Sequence, residues 1–197
     1  MIVLGVTGSI AMGKSTACAL LRAQGVPVHD ADATVHRLFA TGGAAVPLIA
    51  QAFPGVVVEG RVDRTLLGPR VLGNTEALRR LEAIVHPLVR AEEKAFLDRY
   101  RRAGRSVVAL DIPLLFETGG EARCDATLTV SAPAFLQRQR ALRRPGMTAE
   151  KFAAILARQM PDAQKRRRAD YVVPSGLGRA VTWRALAGIL ADVRRKT

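Results

Sequence analysis

Residues Gly8-Ser9-Ile10-Ala11-Met12-Gly13-Lys14-Ser15 match the pattern G-x-x-x-x-G-K-[ST] at every fixed position. A loop of this kind needs a buried strand before it and a helix start after it, because the helix must point its positive end at the same anion the loop surrounds. Both flanks comply: Ile2-Val3-Leu4-Gly5-Val6 is an apolar run suited to a buried parallel strand, and residues 15–21 open a helical pattern. The chain is thereby constrained to an α/β fold that holds the phosphates of a nucleoside triphosphate. In that reading Gly8, Ala11, Met12, Gly13, Lys14, Ser15 and Thr16 line the triphosphate. Lys14 meets the β- and γ-phosphates, the Ser15 hydroxyl ligates Mg2+, and Thr16 packs or touches the α-phosphate. The plainer alternative is a glycine-rich turn before an ordinary helix.

Four more short stretches read as strands: Val26-Pro27-Val28-His29, Val107-Val108-Ala109-Leu110, Thr127-Leu128-Thr129-Val130 and Tyr171-Val172-Val173. Strands alternating with helical stretches predict a five-stranded parallel sheet flanked by helices. Between the second and third strands lie about 75 residues, mostly helical in pattern and broken at Thr41-Gly42-Gly43 and Pro54-Gly55. That is too long for one crossover helix, so it reads as an inserted helical lobe, with a long helix over residues 75–103 bent at His86-Pro87. The expected division is a core over about 1–32, 104–132 and 169–197, a lobe over 33–103 and a lid over 133–168.

The chain of 197 residues suits one such domain. Cys18 and Cys124 have no C-x-x-C spacing, which predicts reduced, buried thiols, and no basic leader precedes the first apolar run, so a cytoplasmic protein without a membrane span is expected. The formal net charge of +13 suits polyanions of any size. Only five of the 30 basic residues are lysine, and aromatics make up 5% of the chain, with no RNA-recognition motif, so no nucleic-acid partner is expected. Lys165-Arg166-Arg167-Arg168 reads as a solvated helix end.

Open parallel sheets bind ligands at the carboxyl ends of their strands. The second strand runs into Asp30-Ala31-Asp32, where a carboxylate can align an acceptor hydroxyl and take its proton. Asp30 reads equally as a helix cap. Asp32 reads as the functional acid, since one cap satisfies the helix. The third strand runs into Asp111-Ile112-Pro113-Leu114-Leu115-Phe116-Glu117, and Asp111 has the position of an acid that orients Mg2+ directly or through water. Capping of a turn before Pro113 is the alternative for Asp111, and a surface position for Glu117. After the fourth strand, helices over 134–143 and 149–159 meet at Arg144-Pro145-Gly146. Gln137, Arg140 and Arg144 share one face at that hinge, where an arginine could stabilise a transferring phosphoryl group. A solvated basic face is the alternative.

Taken together these motifs resemble the dephospho-CoA kinases. The resemblance covers nearly the whole chain: Gly5-Val6-Thr7-Gly8, Asp30-Ala31-Asp32, Asp63-Arg64 with Leu67, His86-Pro87, the string Asp111 to Glu117, Gln137, Arg140, Arg144, Gln159 and Ala169-Asp170-Tyr171-Val172. It implies a P-loop kinase fold of core, CoA-binding lobe and lid. It also implies ATP-dependent phosphorylation of the 3'-hydroxyl of the dephospho-CoA ribose, the last step of coenzyme A synthesis, with Mg2+. Carried over by position, Lys14 and Ser15 handle ATP and Mg2+, and Asp32 is the base. Arg140 and Arg144 are the lid residues on ATP, and Asp30, Arg64, His86, Leu115 and Glu117 are the acceptor contacts. Two positions depart from the family pattern: Ser9 replaces a usual glycine, and Val173-Pro174-Ser175-Gly176 replaces the usual Asp-Asn beside the adenine. A GTPase switch is excluded because Asn74 is the only asparagine and no D-x-x-G occurs. A nucleoside monophosphate kinase is the nearest enzymatic rival, and a nucleic-acid-binding ATPase a more distant one.

Overall fold

The computed structural model describes residues 1–195; Lys196 and Thr197 lie outside the described residues. Along the chain run β1 (Ile2–Thr7), α1 (Lys14–Ala23), β2 (Val28–Asp30), α2 (Ala31–Phe39), α3 (Val46–Ala52), β3 (Val57–Val58) and β4 (Arg61–Val62). Then come α4 (Arg64–Val71), α5 (Thr75–Arg102), β5 (Val107–Asp111), a short 3-10 turn over Gly120–Arg123, and β6 (Ala126–Ser131). The helices α6 (Ala134–Leu142), α7 (Ala149–Ala157) and α8 (Asp162–Arg168) precede β7 (Tyr171–Pro174) and α9 (Arg179–Arg195). The chain forms two compact units, Met1–His29 with the residues from Tyr100 onward, and Asp30–Arg99.

In the first unit a five-stranded sheet has the order β2-β5-β1-β6-β7. β1 lies at its centre, parallel to both β5 and β6, and β6 is parallel to β7. A strand covered on both faces must be apolar throughout, and β1 and β5 are buried along almost their whole length. Leu4, Val6, Val107, Ala109, Leu128, Val130 and Val173 build the core with Ala17, Cys18 and Leu21 of α1 and Leu186, Leu190 and Val193 of α9. The α9 residues recur at helical spacing, so one stripe of that helix faces the sheet.

β2 starts two places later than the apolar run suggests. Val26 donates its N–H to the Leu21 carbonyl at 3.0 Å, so it closes the exit turn of α1 instead of joining the sheet. Asp30 and Asp32 fall in the second unit.

The second unit has its own core of Leu38, Phe39, Ile49, Phe53, Val56, Val62, Leu67, Val71 and Val85. It also contains a β-hairpin, β3 antiparallel to β4, inside a segment whose pattern reads as helical. Its two-residue turn, Glu59-Gly60, has both residues left-handed at φ 50° and 72°, the geometry that matches strand twist in tight hairpins. The helix α5 runs without a break through His86-Pro87.

Candidate active site

Strand β1 delivers the chain into the loop at Gly8, and α1 begins at Lys14. Gly13 is the residue before the helix and is left-handed at φ 89°, with no side chain capping the helix among the described residues. The first N–H groups of α1 therefore keep their donors for a ligand, and the helix dipole favours a negative one. Ala11 is also left-handed, at φ 60°, a conformation a non-glycine residue seldom takes. Gly8, Ala11 and Met12 are buried, whereas Ser15 and Thr16 at the head of α1 are exposed.

The parallel register of β1 and β5 sets Val6 opposite Asp111, which brings that carboxylate to the end of the sheet where the loop starts. Asp111 is 4% exposed and forms an ion pair with the Lys14 ammonium. A buried carboxylate without such a partner would be strongly disfavoured, so each group holds the other's charge in place. Cys18, one turn into α1, lies in the same cluster. Its thiol is pushed up far out of the physiological range, first by burial and then by the Asp111 carboxylate, with Lys14 and Arg22 opposing. It is a packed, protonated thiol and not a nucleophile.

Two further supports reach the loop from distant parts of the chain. Ser175, just after β7, donates its hydroxyl to the Met12 carbonyl at 2.5 Å and receives Arg140 on its own hydroxyl (3.2 Å) and carbonyl (2.9 Å). A Cβ built on Gly13 would stand 2.9 Å from Ser175 Oγ and 3.7 Å from the Arg140 guanidinium, so that guanidinium sits against the phosphate loop. At Ile10 the Gln137 side chain donates to the carbonyl at 2.9 Å, and the N–H donates to Gln159 Oε1 at 2.9 Å. Arg144 is exposed, beyond the end of α6. Ser175 carries no motif of its own; it stands in Val173-Pro174-Ser175-Gly176, a stretch that drew notice only as a departure from the resembled pattern.

Leu115 and Glu117 take other positions than a ligand-lining one. Leu115 has no exposed surface and packs against Gly5 and Gly120, so it offers nothing to an acceptor in this arrangement. Glu117 Oε1 accepts from the Met160 N–H at 2.7 Å and lies 2.8 Å from the Lys165 ammonium. Burial alone would raise the Glu117 carboxyl, but the bonds from Lys165 and Met160 hold it below its ordinary value. The basic run is therefore only partly solvated. Lys165 is fully buried, and Arg168 pairs with Glu121 at 2.6 Å while stacking 5.1 Å above the Phe116 ring. The segment Asp111 to Glu117 is thus pinned by α8, and Thr7 Oγ1 adds a bond to the Pro113 carbonyl at 3.0 Å.

In the second unit Asp30 caps α2, its Oδ1 accepting from the Ala33 N–H at 2.9 Å. Asp32 stands exposed in the first turn of the same helix, where the dipole favours its charge. Arg64 opens α4 and lies over the Phe39 ring at 5.4 Å, its neighbour Asp63 capping the helix through Thr65 and Leu66. His86 is exposed on α5.

The oxygen donors at the loop suit a hard divalent cation. An exposed serine hydroxyl at the helix start and a buried carboxylate beside Lys14 match a Mg2+ ion that keeps waters and takes its remaining ligands from phosphates. No group of three His, Cys, Asp or Glu residues able to hold a metal occurs among the described residues, so an all-protein cage is not what this site offers. No helix is long and apolar enough to cross a membrane among the described residues.

A family model for CoaE, dephospho-CoA kinase, matches residues 2–177. A dephospho-CoA kinase of Paramagnetospirillum magneticum is 67% identical over 166 residues, covering 84% of this chain and 78% of its own. One from Mesorhizobium japonicum is 57% identical over 194 residues, covering 98% of both. Among solved structures, TT1252 from Thermus thermophilus matches with a TM-score of 0.83 at 39% identity over 97% of each chain. Shikimate kinase from Acinetobacter baumannii, at 17% identity and a TM-score of 0.53 over 98% of this chain and 94% of its own, shares the fold alone. The phosphate loop, the acid paired with its lysine and the arginine beside Gly13 thus stand in a chain that belongs to the dephospho-CoA kinase family.

Proposed function

We propose that this kinase moves the γ-phosphoryl group of ATP to the 3'-hydroxyl of the dephospho-CoA ribose, using the loop Gly8 to Ser15 as its donor site. The observation that carries the reading is the Lys14–Asp111 pair at the head of an uncapped helix, with the Arg140 guanidinium against Gly13. Phosphoryl transfer needs little covalent help from the protein; it needs the donor held in line and the charge on the phosphoryl oxygens met by cations. Lys14 supplies one cation at the β- and γ-phosphates, and Arg140 supplies a second. Arg144, exposed at the hinge, is the further ATP contact. The N–H groups of the loop and of the first turn of α1 hold the β-phosphate.

Kinases of this family work on ATP, typically with a divalent metal. We assign Mg2+ to Ser15 and, directly or through water, to Asp111. Bound there with ATP, the ion would neutralise charge shared by the β- and γ-phosphates. For the acceptor, Asp32 is the proposed base that takes the hydroxyl proton. Asp30, Arg64 and His86 are proposed to position dephospho-CoA, with Leu115 and Glu117 acting from behind, through the segment they brace. Two free cysteines support a cytoplasmic setting.

An ADP-release assay over dephospho-CoA, AMP, CMP and pantetheine phosphate tests the reading. Turnover with dephospho-CoA alone is expected, abolished by EDTA and restored by Mg2+. A response only to a nucleoside monophosphate would overturn it.

A further inference from the structure

Ile10, at the tip of the phosphate loop, is held at both ends of its backbone by side-chain amides. Gln137 Nε2 donates to its carbonyl and its N–H donates to Gln159 Oε1, each at 2.9 Å. The partners fix the orientation of both amides, since a carbonyl can only be met by the nitrogen and an N–H only by the oxygen. Gln137 is 6% exposed, on the inner face of α6. Beside this pair of bonds, Ile10 and Ala11 pack with Ala141, Met147, Phe152 and Leu156 of the lid segment. The tip of the loop is therefore built into the apolar core of the same helices that carry Arg140. Ala11 follows at φ 60°, a backbone that an alanine holds only when its surroundings impose it.

We infer that Gln137 and Gln159 are positioning residues for the donor nucleotide: by gripping Ile10 from both sides they impose the left-handed turn at Ala11, and so the aim of the N–H groups that follow. The inference rests on the reading of this loop as the nucleotide site. A loop held in this way acts on the β-phosphate, which ATP and ADP both carry and which stays bound throughout transfer. Its effect is uniform binding, so losing the grip weakens ADP and raises the KM for ATP in parallel, with a smaller change in kcat. A merely structural role would lower the melting temperature and leave these constants alone.

The test is calorimetric titration of Mg-ADP, together with steady-state kinetics, on wild type, Gln137→Met, Gln159→Met, the double variant and Gln137→Glu. Each Met variant is expected to weaken ADP about tenfold, the scale of one lost hydrogen bond with its partner left unsatisfied. The double variant should lose less than the product of the two, because the first loss already frees Ile10. Gln137→Glu sets a carboxylate against the Ile10 carbonyl at neutral pH. Its ADP affinity relative to wild type should recover on acidification, when the neutral acid can donate a proton to that oxygen. Folded Met variants that bind ADP like wild type would overturn the inference, as would a Gln137→Glu ratio that does not move with pH. If Gln137→Met does not fold, Gln159→Met carries the same test, and unchanged ADP affinity there overturns the inference. A wild-type protein that binds no ADP would instead overturn the nucleotide reading of the loop.

Discussion

Lys165, with no exposed surface, places its ammonium 2.8 Å from the Glu117 carboxylate, joining α8 to the segment that leaves β5. Removing one member of a buried pair strands the other, at a cost of about 3–5 kcal/mol. Lys165→Met should therefore destabilise the fold by that order, and its pH dependence should be weaker than in wild type. In wild type the Glu117 carboxyl sits below its ordinary value of 4.5, so its contribution is present above that pH and lost as pH falls through the lower folded value. Without Lys165 the carboxyl keeps the Met160 N–H but loses the ammonium that helps hold it down, so the stability the variant gains between acid and neutral pH should be smaller than in wild type. Urea midpoints between pH 4 and 7 check this. A variant curve parallel to wild type would show that Lys165 is not what holds Glu117.

That pair marks a limit of reading the chain linearly. Four consecutive basic residues carry no sign that the first is buried, because the acid that admits it lies in another motif. The five-stranded frame was legible, since β1 and β5 are apolar runs, β6 alternates threonine with apolar residues, and the phosphate loop dictates strand, turn and helix in order. The hairpin of β3 and β4 was not, because two residues per strand are too few to show alternation against the helical pattern around them. The phosphate loop itself could be named from its motif. Its supports could not be placed, since Gln159 meets Ile10 across 149 residues and Ser175 meets Met12 across 163.

The Lys14–Asp111 pair predicts that the two residues fail differently. Lys14→Ala removes a desolvated cation from the transferring group, an effect of several kcal/mol in the transition state, so turnover should fall by about 10³-fold or more. Asp111→Asn keeps the shape but weakens the hold on the metal and on Lys14. It should raise the Mg2+ concentration needed for half-maximal rate, as should Ser15→Ala. An unchanged metal titration in both would remove these residues from the metal site, and near-normal turnover of a folded Lys14→Ala would sink the donor-site assignment.

Arg140 and Ser175 should behave as one unit. Arg140→Ala is expected to lower kcat more than it weakens ATP measured without acceptor, since a cation on the transferring group counts most in the transition state. Ser175→Ala removes one of two anchors of that guanidinium, leaving the carbonyl contact at 2.9 Å, so a smaller kcat loss is expected. In an Arg140→Ala background the serine change should add nothing if it acts through the arginine. Full additivity in that cycle would show that Ser175 works instead through its bond to Met12.

The two aspartates at the start of α2 separate a cap from a base. Asp30 Oδ1 accepts from the Ala33 N–H, a bond that asparagine reproduces, so Asp30→Asn should hold stability and lose modest activity. Asp30→Ala should cost about 1 kcal/mol, the usual value of a lost cap. Asp32 lies two residues further on and exposed, so Asp32→Asn removes the proton acceptor while the cap and the helix persist. Turnover should then fall by at least ~10²-fold, the lower scale for general base catalysis, with dephospho-CoA still binding measurably. Melting temperatures equal to wild type with Asp30→Asn the more damaging change would reverse the two roles. If neither change alters turnover with dephospho-CoA, the base is elsewhere, and the rate should then be insensitive to every carboxylate of that turn.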